Sequence, residues 1–119
     1  MKYLFLPIVV LFILATSLTY SQVNYQTGNF AAVAGTSGYT LDKGTGDRIF
    51  VIEIKFDKPF TTKPDIQLNV NMVEGDKTGD LKYDVQTSFI TNEGFTIKIK
   101  TWGEGKLKAI GGSWFAITK

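Results

Sequence analysis

The strongest constraint on the fold is a strict alternation of side chains between residues 81 and 102. In residues 81–90, apolar side chains dominate the odd positions and polar side chains the even ones. A turn at residues 92–94 follows, after which Phe95, Ile97 and Ile99 continue the apolar side. Successive side chains of a strand point to opposite faces, so the pattern predicts two half-buried β-strands paired as a hairpin.

The same alternation predicts two more strands, at residues 50–56 and 66–72. Two further strands are predicted at residues 25–33 and 106–118. Gly111 and Gly112 in the last of these predict a bulge or a close backbone approach. Glycine, proline and aspartate are frequent in the segments between the strands, which is typical of turns. Six short amphipathic strands predict an all-β fold, a six-stranded antiparallel β-sandwich, because a single sheet would leave its apolar face in water.

The N-terminal segment has the pattern of an export signal. Lys2 precedes an apolar run over residues 3–18, and small residues lie just before residue 22. We therefore expect a cleavable signal peptide over residues 1–21 and one mature domain over residues 22–119. The alternative is an uncleaved membrane anchor, but the run contains Pro7 and falls short of the roughly 20 apolar residues of a spanning helix. The expected product is secreted, periplasmic or otherwise extracellular, without membrane insertion after cleavage.

Composition excludes many kinds of catalysis. The chain has no cysteine and no histidine, which rules out a thiol nucleophile, a Ser-His-Asp triad and a zinc site of the usual ligands. Its carboxylates lie singly on the polar faces of the predicted strands and suggest no facing pair for glycoside hydrolysis. We expect no enzymatic activity, and a small hydrolase is the disfavoured alternative.

Charge patterning argues against nucleic acid as a partner. The 13 basic and 11 acidic residues are interspersed, so no basic patch of the kind that neutralises phosphates is expected. The loop at residues 74–80 carries three carboxylates, but their spacing matches no EF-hand and Lys77 opposes a cation. We interpret this loop as a solvated turn and expect no metal and no cofactor.

Trp102 is the first candidate for a binding residue. The alternation places it on the same side as Lys98 and Lys100, away from the core. An indole exposed at a strand end can stack on the apolar face of a sugar while nearby polar groups bind its hydroxyls. The alternative is a rim tryptophan that packs under a loop or in a contact between protomers. Trp114 lies among apolar residues and is interpreted as core or interface.

Short motifs occur along the chain in a fixed order. They are Phe56-Asp57-Lys58-Pro59-Phe60, Pro64, Lys82-Tyr83-Asp84-Val85, Gly94-Phe95, Thr101-Trp102, Lys106-Leu107 and Ser113-Trp114-Phe115-Ala116. In order and spacing, they resemble the H-type lectin domain from about residue 48 to residue 118. The opening at residues 26–28 is similar to the first strand of that family.

The resemblance implies a trimer of six-stranded sandwiches that binds N-acetylgalactosamine or galactose-like sugars at clefts between protomers. In the family, an aspartate-bearing loop precedes the second strand, and this place falls at Thr45 or Asp47. The start of the fourth strand falls at Lys82, and the end of the fifth falls at Trp102 with Gly103.

The aspartate of the family is kept only with a shift of two residues in the loop, from Thr45 to Asp47. Two other places differ from the family. Lys82 replaces an arginine and lacks its planar fork of donors. Gly103 replaces a histidine, so a contact there would come from Glu104 or from a water molecule. Two hypotheses follow. One is a secreted lectin that binds glycans through Trp102 and its polar neighbours. The other is a structural or cell-adhesion module that keeps the oligomer and has a degenerate sugar site.

Overall fold

The computed structural model describes residues 24–77 and 80–119. The predicted signal peptide over residues 1–21 lies outside the described residues, as does its cleavage point. Six strands are present: β1 (Tyr25–Val33), β2 (Arg48–Lys55), β3 (Asp65–Gly75), β4 (Tyr83–Ser88), β5 (Gly94–Thr101) and β6 (Leu107–Ile117). No helix in the described part of the chain has the length and apolar character needed to cross a membrane.

The strands form two antiparallel sheets of three strands each. One sheet has the order β1-β6-β3 and the other has the order β2-β5-β4. Contacts between β1 and β2 and between β3 and β4 place the sheets face to face. The predicted all-β class and the six antiparallel strands are therefore confirmed. The hairpin predicted around residues 92–94 is also confirmed, since β4 pairs with β5.

The core lies between the two central strands, β5 and β6. Their buried apolar side chains are Phe95, Ile97 and Ile99 on β5 and Leu107, Ala109, Ile110, Trp114 and Ala116 on β6. Trp114 contacts Phe95 at 5.4 Å and Phe56 at 5.8 Å between ring centroids. It is 8% exposed, so in this chain it is a core residue. Aromatic packing of this kind contributes beyond the burial of apolar area.

The glycines of β6 allow the neighbouring strand to approach closely. A Cβ atom at Gly112 would collide with the carbonyl of Asn69 on β3, and one at Gly111 would lie 3.0 Å from the carbonyl of Phe30 on β1. The predicted close backbone approach is confirmed. The irregularity lies opposite, on β3, where the register shifts between Val70 and Met72.

Three side chains were expected on the core side and are exposed, namely Met72, Tyr83 and Phe89. Tyr83 is 39% exposed at the start of β4. Met72 is 40% exposed because the register shift interrupts the alternation that Ile66 begins. Phe89 is 83% exposed because β4 ends at Ser88, and its φ of 50° turns the chain away from the sheet. The predicted strand over residues 81–90 was therefore too long by two residues at each end, since β4 covers Tyr83–Ser88.

Candidate functional site

Three strand ends meet at one end of the β2-β5-β4 sheet. The first residue of β2 and the first residue of β4 both pair with Thr101, the last residue of β5. Adjacent strands lie about 4.8 Å apart. Asp47, Lys82 and Trp102, each one residue outside its strand, are therefore neighbours along this edge.

Asp47, Lys100 and Trp102 form a row on the outer side of this sheet end. Lys100 Nζ lies 3.3 Å from Asp47 Oδ2 and 5.8 Å from the centroid of the Trp102 ring. Trp102 is half-buried and Asp47 is 69% exposed. The expectation that Trp102 shares a face with Lys100 and is partly exposed is confirmed. The row places an aromatic ring, a cation and an open carboxylate side by side.

Arg48 holds the loop that carries Asp47. It is the only arginine in the sequence, and its side chain is 9% exposed. Its guanidinium donates hydrogen bonds at 2.9 to 3.4 Å to six carbonyls, those of Leu41, Lys43, Gly44, Gly46, Gly103 and Gly105. A buried charge is costly unless its donors are satisfied, and here carbonyl dipoles on two sides satisfy them.

The hydrogen bonds from Arg48 hold the loop at residues 41–46 in a fixed position relative to the turn at residues 103–105. The Gly46 amide donates to the Gly103 carbonyl at 3.0 Å, which adds a direct backbone link. Lys106, the residue after this turn, donates a hydrogen bond from Nζ to the Gly44 carbonyl. Thr45 and Glu104 are exposed on these two joined segments. The site is therefore organised before any ligand arrives.

Tyr39 anchors the same loop to the core. Its hydroxyl donates to the Leu107 carbonyl at 2.5 Å, and its ring is 4% exposed. Burial, with a smaller contribution from the carboxylate of Asp42, raises the pKa of Tyr39 to about 12. The phenol therefore stays neutral and keeps donating at physiological pH.

Lys82 and Gly103 lie on the β4 side of the site. The Lys82 carbonyl accepts a hydrogen bond from Thr101 Oγ1 at 2.5 Å, and its side chain is exposed. Gly103 has a φ of 77°, which favours glycine. A Cβ atom there would lie 3.9 Å from Lys82 Cδ. The Lys82 stem and Gly103 are thus adjacent, and glycine leaves that side of the site open.

The structure therefore brings together four of the residues named from the sequence, namely Trp102, Asp47, Lys82 and Gly103. Thr45 and Glu104 lie at the periphery. Sequence reasoning missed Lys100 as a site residue and Arg48 altogether. A signal for Arg48 existed, because it shares the alternation of Phe50 and Ile52 and so occupies an inward position where a charge needs partners.

In a single chain, the site is a shallow shelf. The adjoining hollow on the outer face of the sheet has a volume of about 140 Å³ and is lined by Asp84, Gln86, Lys98 and Lys100. Among residues 24–77 and 80–119, no group of three or more acidic, histidine or cysteine side chains could hold a metal ion. The chemistry available at the shelf is stacking and hydrogen bonding.

Comparisons with known proteins give a consistent result. The family model of the H-type lectin domain matches residues 51–117. A discoidin-1 polypeptide from Dictyostelium discoideum is 32% identical over 77 residues, which are 64% of this chain and 30% of that protein. The protein "ATP synthase subunits region ORF 7" from Fuscovulum blasticum is 31% identical over 74 residues, which are 62% of this chain and 64% of that protein.

A solved structure shares the fold. The wild-type discoidin II of Dictyostelium discoideum superposes with a TM-score of 0.72 at 24% sequence identity, over 84% of this chain and 38% of that chain. The chain spans less than two thirds of the length of each of these relatives. The family match extends from β2 through β6 and covers more than half of the chain. The chain belongs to the H-type lectin domain family.

Proposed function

We propose that this protein is a non-enzymatic lectin that binds galactose- or N-acetylgalactosamine-like sugars at the Trp102 end of the β2-β5-β4 sheet. The observation that carries the proposal is the row of Asp47, Lys100 and Trp102. Sugar recognition needs an apolar plane beside groups that bind hydroxyls. In this proposal, the Trp102 ring stacks on the sugar, Asp47 accepts a hydroxyl hydrogen, and Lys82 donates to a hydroxyl oxygen.

The charge arrangement suits a neutral ligand. Lys100 Nζ lies near both the Asp47 carboxylate and the Trp102 ring, so it offsets the negative charge of Asp47. Thr45 and Glu104 provide further polar groups at the rim of the shelf. The uncharged hydroxyls of a sugar can donate hydrogen bonds to the carboxylates and accept them from the lysines, so neither charge repels the ligand.

Assembly into a homotrimer would turn the shelf into a cleft. The outer face of β2 exposes Ile49 and Val51, which are 46% and 53% exposed. Apolar side chains clustered on a sheet face favour contact with another copy. A neighbouring protomer seated there would bury them and supply a second wall beside Trp102. Several weak sites on one oligomer would also give avidity for glycan-bearing surfaces.

A second candidate function is a structural or adhesive oligomer whose sugar site is degenerate. The observation that favours it is the engagement of Asp47 by Lys100, together with the half-burial of Trp102. Both features reduce the number of side-chain groups that are available to bind a sugar. The loss of an arginine fork at Lys82 acts in the same direction. The two candidates share the fold and the oligomer and differ only in ligand binding.

Export places the domain where glycans are exposed. We propose cleavage before Gln22, which would release residues 22–119 outside the cell or into a periplasm. N-terminal sequencing of the exported protein checks this point, since a first residue other than Gln22 or its immediate neighbours contradicts it.

The test is a glycan-array measurement on the purified protein, with oligomer mass followed by light scattering. Trp102→Ala is expected to lose binding to galactose-type glycans while the oligomer mass stays unchanged. Trp102→Phe keeps an aromatic plane and should retain part of the binding. Val33→Ala removes an exposed apolar side chain on β1 and is the matched control. An intact wild-type oligomer that binds no glycan supports the structural role instead.

A further inference from the structure

Three pockets adjoin one another at the end of the sandwich opposite Trp102. Their volumes are about 400, 330 and 400 Å³. Gln26 and Asp57 line both the first and the second pocket, while Glu53 and Lys55 line both the second and the third. Adjacent pockets therefore share walls, and we refer to the three together as the groove. On β2, the groove residue nearest the Trp102 shelf is Glu53, which lies six residues after Asp47, about 20 Å along the strand.

An exposed aromatic ring marks each end of the groove. Tyr25 is 61% exposed and lines the first pocket. Its ring stacks on Phe115 with centroids 5.7 Å apart and an interplanar angle of 19°, so its orientation is fixed and one face is open. Phe89 is 83% exposed and lines the third pocket. Rings of this kind expose apolar surface at both ends of a polar groove.

The position of Phe89 carries a conformational cost. Its φ of 50° lies in the left-handed region, and it is the only residue other than glycine with positive φ among those described. For a bulky aromatic residue, such a conformation costs about 1–2 kcal/mol. The ring gains little burial in return. Backbone strain that holds an exposed side chain in place is typical of a functional position.

The middle of the groove is polar and rigid. Gln26 Nε2 donates to the Lys58 carbonyl at 2.6 Å, and Gln26 Oε1 accepts from the Asp57 amide at 3.0 Å. This side chain therefore joins β1 to the corner that follows β2. The indole of Trp114 also lines the second pocket and packs so closely on Gly28 that a Cβ atom there would lie 2.6 Å from the ring.

The charges along the groove nearly cancel. Glu53, Asp57 and Glu93 face two lysines, Lys55 and Lys58. All five side chains are exposed. A polyanion would meet three carboxylates, and a polycation would meet two lysines, so neither charged class is favoured. The groove is suited to a long, neutral and hydroxyl-rich ligand.

We propose that this groove is a second carbohydrate site and binds a neutral oligosaccharide along its length. Tyr25 and Phe89 stack on sugar rings at the two ends, and the exposed carboxylates and lysines between them bind hydroxyls. An extended peptide fits less well, because the bidentate bridge from Gln26 occupies the seam between the edge strands β1 and β2. The groove is separate from the shelf and does not depend on the function proposed for it.

The experiment is an NMR titration of the purified protein that follows the two tryptophan indole N–H signals. The probes are malto-, cello- and N-acetylchito-oligosaccharides, each from the mono- to the hexasaccharide. Binding in the groove is expected to shift the Trp114 signal and leave the Trp102 signal unchanged. Affinity should rise with chain length in at least one series, because only longer chains reach both aromatic ends.

Variants separate this groove from the shelf. Tyr25→Ala and Phe89→Ala are each expected to weaken oligosaccharide binding by about tenfold or more, as the loss of an aromatic anchor does. Phe89→Gly relieves the strained φ but also lacks the aromatic ring. It should therefore fold well and bind the oligosaccharide as weakly as Phe89→Ala. Trp102→Ala should leave this binding intact. The proposal is overturned if Trp102→Ala loses oligosaccharide binding, or if Tyr25→Ala and Phe89→Ala both retain it. It is also overturned if the protein binds unstructured peptides and no oligosaccharide.

Discussion

Replacing Arg48 with methionine tests the physical account of the site most severely. Arg48→Met keeps a long apolar stem and removes the guanidinium that six carbonyls share. Four of the six bonds lie in partly buried surroundings, where water can replace the donor. The bonds to Leu41 and Gly105 are buried.

The expected loss follows from those two carbonyls. Leu41 keeps one partner, since its carbonyl also accepts from the Leu107 amide at 3.0 Å. The Gly105 carbonyl loses its guanidinium donor inside the protein, and an unsatisfied buried acceptor costs about 1–3 kcal/mol. With the loss of the charge-assisted bonds to the other carbonyls, we expect the free energy of unfolding to fall by about 3 kcal/mol.

Urea unfolding of the purified protein measures this change. Lys100→Met is the matched control, because it removes a cation of the same site whose exposed ion pair contributes about 1 kcal/mol or less. Arg48→Lys keeps the charge and loses the planar fork, so it should fall between the wild type and Arg48→Met. Hydrogen exchange at the Gly46 amide should speed up in Arg48→Met. A change in unfolding free energy below about 0.5 kcal/mol would refute the reasoning.

Three further predictions concern the scaffold. Gly112→Ala places a Cβ atom against the Asn69 carbonyl and should lower the melting temperature far more than Gly111→Ala, as measured by differential scanning calorimetry. Burial raises the pKa of Tyr39 from 10.0 to about 12, so the stability it contributes is complete below pH 10 and is lost as the pH rises to about 12; Tyr39→Phe should flatten this decline in urea unfolding at a series of pH values. Phe89→Gly should raise the free energy of unfolding by about 0.5–1 kcal/mol through relief of its positive φ, and an unchanged or lower value counts against strain at that residue.

The strands were predictable because their signal is local. Period-two alternation identified the four strands β2 to β5, and β1, predicted without it, has the predicted bounds. Met72 and Phe89 were wrongly expected on the core side, because the alternation of neighbouring residues does not show where strand pairing shifts or ends. Met72 follows a register shift on β3 that depends on pairing with β6. Phe89 has an apolar side chain at the expected spacing, but it comes one residue after β4 ends.

The site was predictable in part for a related reason. Alternation placed Trp102 on the outer face, and the resemblance to the family placed Asp47 and Lys82 at neighbouring strand ends. The role of Arg48 depends on carbonyls up to 57 residues away in sequence, which no local pattern specifies. An arginine at an inward position of β2 was nevertheless a signal that a buried charge needed partners.

The most direct measurement of the central claim is an NMR titration of the wild-type protein with N-acetylgalactosamine and galactose. The chain has two tryptophans: Trp102 lies at the shelf and Trp114 lines the groove, so the two indole signals distinguish binding at the shelf from binding in the groove. The account predicts that one of these sugars shifts the Trp102 indole signal in a saturable way and leaves the Trp114 signal in place. Saturable binding that leaves the Trp102 signal unchanged, or no binding of either sugar by an intact oligomer, would contradict the claim that this sheet end is a sugar site.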